Sequence, residues 1–477
     1  MNQQGEEKLL QNSGKIMWIV FLSGLVSALN TGTLYIAYLD LAEHFHSDLS
    51  TTQWLTIMYS LTSAMITPVA GYFSKRYSLR KALITALIIM IVASACCTLA
   101  VNMQMLIGCR AIQGIAGGLM MPLSLAIIYQ WIPKEKQGRF LSISLMGMSM
   151  GPAIGPTLSG LFLATVGWQA IFLCNVPITL VDLYLVYRII PKENSCKDDL
   201  LDYKSILTVF CGTMFILLSF YQAGKTGWQR PTLWLGLILG CVLLYVFVRG
   251  QLKAQEKALL DFRIFRNQKF TVSVILSAIL YANITLGAFL LPVFLESAMG
   301  MEPLPAGMVL FFPALCMALA TPVAGRVYEK LSARTQLIGG LNVMILGNVL
   351  VTTFKQDTAL WMIVMFLCVR YIGAAFANVP SLDYGLGALP KNKASEGTAM
   401  NNWIKSMAIS MSLSIFTAIY ALEERQHIAE LLRQGIVQSA AVAQTAVIVN
   451  SHLFWLQAGT LLLGLLLIVA TTEKKKA

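Results

Sequence analysis

The hydrophobic residues of this chain fall into long runs, and the polar residues collect in the short segments between them. The runs are about 20 residues long, which is the length an α-helix needs to cross a bilayer. A strand of a membrane barrel would show roughly 10 residues of alternating polarity instead. The pattern predicts an all-α, polytopic membrane protein with fourteen spans, at residues 16–40, 51–73, 81–101, 105–131, 139–164, 168–189, 205–224, 232–249, 270–296, 305–325, 334–354, 358–382, 396–421 and 451–471.

A short sequence at the end of the second span is repeated in the second half of the chain. Thr67–Gly71 and Thr321–Gly325 both read TPVAG, and each leads into basic residues. Arg110 and Arg370 each precede a proline within an apolar run, which is a second similarity between the two halves of the chain. Duplicated helical halves are typical of two-lobed transporters, whose site lies between the lobes. The predicted organisation is a cytoplasmic N-terminus (1–15), a six-helix N-terminal lobe (16–190), two extra helices with linkers (191–269), a six-helix C-terminal lobe (270–471) and a cytoplasmic tail (472–477).

Composition and charge agree with a membrane protein and give its orientation. The 477 residues are 57% hydrophobic and 12% charged, more apolar surface than a soluble chain keeps from water. The net charge of +12 is spread over short loops, so it does not indicate nucleic-acid binding. Lys and Arg concentrate in the loops after even-numbered spans, which places these loops inside. We therefore expect a multi-pass protein of the plasma (inner) membrane with both termini cytoplasmic.

The segment 422–450 is predicted to be the longest outside loop. Its apolar residues recur at near-helical spacing, which leaves open a short interfacial helix or a solvated loop. It is also the segment on which a periplasmic adaptor could dock. The four His residues lie on the outer side without a clustered acidic partner, and eight of the nine Cys are placed within apolar runs. We predict no metal site, no cofactor, no disulfide framework and no enzyme active site, which would need a convergent polar set.

A few ionisable residues lie within the predicted spans, where a charge is costly and usually functional. For the two acids, a hydrated helix end explains the charge as well as a function does. The three cations are expected to serve transport or a structural charge pair. The set is Arg110, Asp182, Arg370, Asp383 and Lys405.

The fifth span carries the sharpest motif of the chain. Its glycines recur every four residues, which places them on one helix face where a neighbouring backbone can approach closely. Each of two prolines removes a backbone donor and bends the helix. Tight packing alone would explain one such pair of glycines, whereas a repeated Gly-Pro is far rarer. The residues are Gly147, Gly151, Pro152, Gly155, Pro156 and Gly160.

These motifs resemble the fourteen-span drug:proton antiporters of the major facilitator superfamily. The span-5 sequence Gly151–Gly160 is similar to the antiporter motif of that family. Arg110–Gly118, which includes Gln113, is similar to its arginine motif. The loop from Gly71 to Lys81 resembles the cytoplasmic gating motif of the superfamily, and it carries Lys75, Arg76 and Arg80.

The chain departs from the family pattern at four positions. Asn30 stands where the family has a membrane-buried aspartate in the first span. Lys75 replaces the aspartate of the gating loop, and Ser78 replaces its later glycine. Lys405 replaces an arginine in span 13.

The resemblance implies a secondary active transporter that exports small amphiphilic compounds by proton antiport, of the multidrug-efflux type, with the major facilitator fold in a 6+2+6 arrangement. Asn30 cannot titrate, so the predicted proton carrier is Asp182 or Asp383. The cations among the interior residues favour neutral or anionic substrates over lipophilic cations. Two alternatives remain: an exporter or importer of an endogenous metabolite, lipid or siderophore, and a non-transporting sensor that has lost proton coupling.

Overall fold

The structure, a computed structural model, describes residues 13–47, 49–52, 54–70, 73, 77–191, 203–226, 228–254, 260–390 and 393–470. The described part is helical throughout and contains no strand. Eleven of its helices are long and apolar enough to cross a membrane, and a twelfth apolar helix, Gly14–Asn30, is shorter. The all-α membrane architecture is therefore confirmed, whereas the count of fourteen spans stays a prediction.

The first half of the chain forms helices whose bounds follow the apolar runs closely. The exceptions include the first and the sixth predicted spans, which are divided at Thr33 and at Cys174. The Thr33 hydroxyl donates to Leu29 O at 2.7 Å, and the Thr33 carbonyl accepts from the Ser159 hydroxyl. The helices are α1 (Ser13–Gly32), α2 (Leu34–His44), α3 (Leu49–Thr52), α4 (Trp54–Ile66, continued by a 3₁₀ turn at Thr67–Val69), α5 (Leu79–Thr98), α6 (Met103–Trp131), α7 (Lys134–Thr165), α8 (Gln169–Leu173) and α9 (Asn175–Ile189).

The second half consists of longer helices joined by short connections. They are α10 (Tyr203–Thr226), α11 (Pro231–Ala254), a 3₁₀ helix at Phe262–Arg266, α12 (Gln268–Ser297), α13 (Pro303–Tyr328), α14 (Ala333–Val351), α15 (Leu360–Leu386), α16 (Ala394–Arg433) and α17 (Gln438–Ala470).

The predicted outside loop at 422–450 is almost entirely helical, which corrects the sequence interpretation. Helix α16 has 40 residues and α17 has 33, so at 1.5 Å per residue they are about 60 and 50 Å long. Gly435, with a φ of 83°, ends α16, and Ile436 N donates back to Leu431 O at 3.1 Å. This is the left-handed cap that glycine favours. The segment is rich in Glu, Arg, Gln, Ala and Leu, all strong helix formers. Both helices therefore extend into it, and only a short turn between Arg433 and Gln438 joins them.

The chain divides into two compact units. The first contains Met1–Leu217, Gly236–Asn267 and Leu386–Ile404, and the second contains Leu218–Leu235, Gln268–Gly385 and Lys405–Ala477. In the first unit α1 packs on α7 and α9, while α6 packs on α4 and α5. In the second unit α12 and α14 pack on α17, and apolar residues of α12, α15 and α17 form a buried core.

The glycines of the fifth predicted span bring two backbones together in the first unit. A Cβ atom built on Gly155 of α7 would lie 2.6 Å from the carbonyl carbon of Gly32 on α1. On the facing side, a Cβ atom built on Gly24 of α1 would lie 2.6 Å from Ser144 O of α7. Gly147 and Gly151 abut the α1 backbone in the same way. Any side chain at these positions would push α7 away from α1. At Pro152, Pro156 and Gly160 the structure describes only the backbone of α7.

Candidate functional site

A buried arginine, Arg110, joins three helices of the first unit. Helix α6 presents it at 1% exposure. Its Nη2 donates to Asn30 O at 2.8 Å and its Nε to Leu55 O at 3.1 Å, which lie on α1 and α4. Its Nη1 donates to Gln113 Oε1 at 2.8 Å. The guanidinium carbon stands 4.6 Å from the centre of the Tyr59 ring, a cation–π distance. The planar, five-donor head of arginine suits such a junction because it can serve acceptors on several sides.

Amide side chains extend this cluster to two more helices. Gln113 Nε2 donates to Ser94 Oγ on α5 at 2.8 Å. Asn175 Nδ2 at the start of α9 donates to Asn30 Oδ1 at 3.4 Å. The Asn30 amide itself donates to Val26 O at 2.9 Å, one turn earlier on α1. Asn30 thus places a neutral amide, which both donates and accepts hydrogen bonds, at the centre of this network.

The second unit contains a corresponding cluster around Arg370. The side chain is 0% exposed, and its Nη2 donates to Asn283 O on α12 at 2.7 Å. Its Nε donates to Asn348 Oδ1 on α14 at 2.7 Å, and Nη2 also approaches Gln457 Oε1 on α17 at 3.4 Å. The guanidinium lies 5.6 Å from the centre of the Phe454 ring.

The two clusters repeat the same arrangement of groups. In each, an arginine donates its Nη2 to the main-chain oxygen of an asparagine, Asn30 or Asn283. In each, that asparagine returns its Nδ2 to the carbonyl four residues earlier, Val26 O or Ile279 O, at 2.9 Å. The internal duplication seen in the sequence therefore extends to hydrogen bonds in the interior of both units.

Asp182 lies in the first unit but belongs to a different contact. It is 0% exposed, and its Oδ2 accepts from Ser23 Oγ of α1 at 2.7 Å. Its Oδ1 has no hydrogen-bond partner among the described residues. Seven residues separate Ser23 from Asn30 on α1, and seven separate Asp182 from Asn175 on α9, which is roughly 10 Å along either helix. The same two helices thus hold an amide contact at one level and an acid contact two turns away.

The remaining ionisable candidates lie in the second unit. The Tyr328 hydroxyl, at the end of α13, donates to Asp383 Oδ2 on α15 at 2.6 Å, and Asp383 is half-buried. The ammonium of Lys405 lies 4.1 Å from the centre of the Tyr281 ring of α12, and this lysine is 7% exposed. Neither side chain hydrogen-bonds directly to the Arg370 side chain.

Part of the predicted gating loop can be located. Arg80 donates to Tyr187 O and stands over the Tyr187 ring at 5.0 Å, so it links the start of α5 to the end of α9. Ser78 caps α5, and its hydroxyl accepts from Lys81 N at 3.5 Å. Gly71, Lys75 and Arg76 lie outside the described residues.

Sequence reasoning identified the cations of both clusters and missed most of their partners. It singled out Arg110, Gln113, Asn30 and Arg370. The missed residues are neutral amides and a hydroxyl on other helices, Ser94, Asn175, Asn283, Asn348 and Gln457. The available signal was their polarity within apolar runs, because a buried amide needs partners as a buried charge does. Their pairing with the arginines could be recognised only in three dimensions.

Comparison with known proteins agrees with this architecture. The family model described as Major Facilitator Superfamily matches residues 20–413. The lincomycin resistance protein LmrB of Listeria monocytogenes is 27% identical over 91% of this chain and 92% of its own length. The riboflavin transporter RibZ of Clostridioides difficile is 24% identical over 96% of this chain and 97% of its own.

Among solved structures, the human organic anion transporter MFSD10 has a similar fold, with a TM-score of 0.63 at 14% identity over 94% of this chain and 99% of that one. The family consists of transporters of small molecules and not of enzymes. Together with the membrane helices and the duplicated interior clusters, the family match over most of the sequence shows that this chain belongs to the Major Facilitator Superfamily.

Proposed function

We propose that this protein is a proton-coupled exporter of small amphiphilic compounds, with neutral or anionic compounds favoured over lipophilic cations. The relatives support export of drug-like compounds, since LmrB is named for lincomycin resistance. The packing of α1 against the span-5 glycines supports the assignment of that segment as an antiporter motif.

The observation that carries the substrate preference is the neutral surrounding of the buried cations in the second unit. Arg370 and Lys405 form no ion pair with any carboxylate in the described part of the chain. Arg370 is instead held by amide and main-chain oxygens. A buried positive charge compensated only by dipoles makes a second cation nearby costly and an anion or a polar neutral group favourable.

Asp182 is the stronger of the two proposed proton carriers. It is completely buried and accepts one hydrogen bond, from Ser23, whereas Asp383 is half-buried beside a tyrosine hydroxyl. Protonation would turn the Asp182 carboxylate from an acceptor into a donor and would change the contact between α1 and α9. Because the same helices carry Asn30 and Asn175, this change is transmitted to the Arg110 cluster along two rigid elements.

The proposal is tested with the purified chain in proteoliposomes, using an anionic dye and an ethidium-like cation of similar size as cargo. We expect an imposed pH gradient to drive transport of the anion more than of the cation, and a protonophore to abolish it. Asp182→Asn should remove gradient-driven transport while substrate exchange without a gradient persists. Asp357→Asn, at an exposed position outside the helices, is the matched control.

Equal transport of both dyes would contradict the substrate preference. Gradient-driven transport that survives in both Asp182→Asn and Asp383→Asn would contradict the assignment of the proton carrier.

The protein is further proposed to cross the membrane fourteen times, with both termini on the cytoplasmic side. Helices coincide with each of the fourteen apolar segments, which supports fourteen spans in a 6+2+6 order with lobes at 16–190 and 270–471. The charge asymmetry of the loops supports cytoplasmic termini and a plasma (inner) membrane location. The outward helical hairpin of α16 and α17 is the element on which a periplasmic adaptor would dock. Accessibility of tags introduced at either terminus in intact cells and in inverted vesicles tests the orientation.

A second candidate function is transport of an endogenous compound. It is favoured by RibZ, which is named a riboflavin transporter and matches nearly the whole chain. Riboflavin in place of the dyes in the same assay separates the two functions. Faster gradient-driven movement of riboflavin than of the anionic dye would favour the endogenous substrate, and no flux of any cargo would favour the non-transporting sensor.

A further inference from the structure

The hairpin formed by α16 and α17 brings three potential metal ligands together. Glu423 and His427 are four residues apart on α16 and therefore lie on one face of that helix. His452 faces them from α17. Contrary to the expectation from the sequence, these histidines do have an acidic partner, because the region predicted as a loop is helical and the turn at Gly435 folds α17 back against α16.

The ligand atoms of these side chains are close enough for a single ion. One ligand atom from each of Glu423, His427 and His452 lies within 4.8 Å of the others. His452 Nδ1 is 3.1 Å from Glu423 Oε2, and the two imidazole rings have their centres 6.2 Å apart. In a tetrahedral zinc site with bonds of about 2.0–2.1 Å, ligand atoms are roughly 3.3 Å apart. The Glu423–His452 pair already has this spacing. Rotation of the His427 side chain can bring its ring nitrogen to a similar distance from the other two ligand atoms, since all three lie within 4.8 Å.

The donor set selects a class of metal. Two imidazole nitrogens and one carboxylate oxygen suit borderline divalent ions such as Zn²⁺. Ca²⁺ and Mg²⁺ prefer six or more oxygen ligands. His452 is 52% exposed and Glu423 24% exposed, so water can reach the site and complete a fourth position.

We propose that Glu423, His427 and His452 form a three-ligand site for Zn²⁺ or a similar divalent transition metal, which joins α16 to α17 on the outward hairpin. The ion would replace the hydrogen bond between His452 and Glu423 by bonds that tie the two helices together. The site is separate from the buried clusters, although α17 also carries Gln457, five residues beyond His452, which contacts Arg370. The proposal does not depend on the proposed substrate or on proton coupling.

The test is titration of the purified full chain, without a polyhistidine tag, with Zn²⁺ alone in an isothermal calorimeter. We expect one ion per chain, and a loss of affinity greater than about 100-fold in His427→Ala and in His452→Ala, since even residues that only support metal ligands cost 10- to 100-fold. The matched control is His44→Ala with His46→Ala, two exposed histidines elsewhere in the chain. Glu423→Gln keeps the shape of the side chain and should also weaken binding.

Two further measurements keep the result interpretable. Melting curves without metal should be unchanged in the ligand variants, because the ligands are partly exposed. Zn²⁺ should raise the melting temperature of the wild type and of the His44 and His46 control, but not of the ligand variants. Co²⁺ in place of Zn²⁺ should give the intense visible absorption of tetrahedral coordination in the wild type and in the control, and this absorption should be lost in the ligand variants. The proposal is overturned if the wild type binds no Zn²⁺, if His427→Ala and His452→Ala bind it as well as the wild type, or if the His44 and His46 control loses it equally.

Discussion

At the scale of single residues, Ser78 adopts a backbone conformation that suits glycine and not serine. Its φ is 69° and its ψ is 149°, a backbone conformation found almost only for glycine, which costs other residues about 1–3 kcal/mol. Its hydroxyl partly compensates by accepting from Lys81 N at 3.5 Å, a long hydrogen bond. The position is therefore strained in this chain, and a glycine would suit it better.

We expect Ser78→Gly to stabilise the protein by about 1 kcal/mol, since relief of the strain exceeds the few tenths lost when glycine replaces serine at a helix cap. Ser78→Ala keeps the strain and loses the cap, so it should destabilise. Melting curves of the purified variants measure both changes. A lower melting temperature for Ser78→Gly would show that the hydroxyl contributes more than the backbone strain costs.

At the scale of elements, close backbone approach sets how the helices pack. Adjacent glycines on α14 give a matched pair. A Cβ built on Gly340 would lie 2.8 Å from the carbonyl carbon of Phe376 on α15, whereas one built on Gly339 meets nothing within 4 Å. The two positions differ in surroundings and not in secondary structure.

Gly340→Ala is expected to destabilise by about 1–3 kcal/mol, because α14 and α15 must separate to admit the methyl group. Gly339→Ala should stabilise by about 0.5–1 kcal/mol, as alanine is the better helix former. Denaturation of the two variants in the same detergent checks the sign of each change. Equal effects would indicate that α14 and α15 are not in close contact.

At the scale of the whole molecule, an ion-pair cluster joins segments that are far apart in the sequence. The Asp261 carboxylate accepts from Arg263 Nε at 2.8 Å and from Lys393 Nζ at 3.0 Å. It lies between α11 and α12, and Lys393 lies just before α16. Burial by itself raises the pKa of Asp261, but the hydrogen bonds from Arg263 and Lys393 outweigh it and lower the pKa to about 2.

A folded-state pKa below the unfolded value of about 3.9 stabilises the protein above that pH. The contribution is fully present at pH 7 and is lost as the pH falls from about 4 towards 2. Asp261→Asn should therefore lower the melting temperature at neutral pH, and its difference from the wild type should shrink across this acid range. Asp357→Asn is the exposed control. A difference independent of pH would mean that the charge of Asp261 does not contribute.

The sequence by itself determined the features that depend on local pattern. Uninterrupted hydrophobicity of about 20 residues located the helices, because a backbone in lipid must satisfy its own hydrogen bonds. The repeated TPVAG sequence indicated the duplication, and Arg110 and Arg370 were recognisable because a charge in an apolar run is costly. The four-residue spacing of Gly147, Gly151 and Gly155 identified a packing face.

Only the tertiary structure decided which residues meet. The asparagine pairing of each arginine, the contact of Ser23 with Asp182 and the grouping of His452 with Glu423 join residues between 29 and 159 positions apart. Hydropathy and periodicity describe one helix at a time and carry no information on which neighbour a face touches. The hairpin of α16 and α17 was predicted as a loop because its charged residues lower the hydropathy that marks a span. The same residues favour a helix. The polar contacts of this transporter depend on packing between helices, and that is why the sequence indicated the cations but not the groups that hold them.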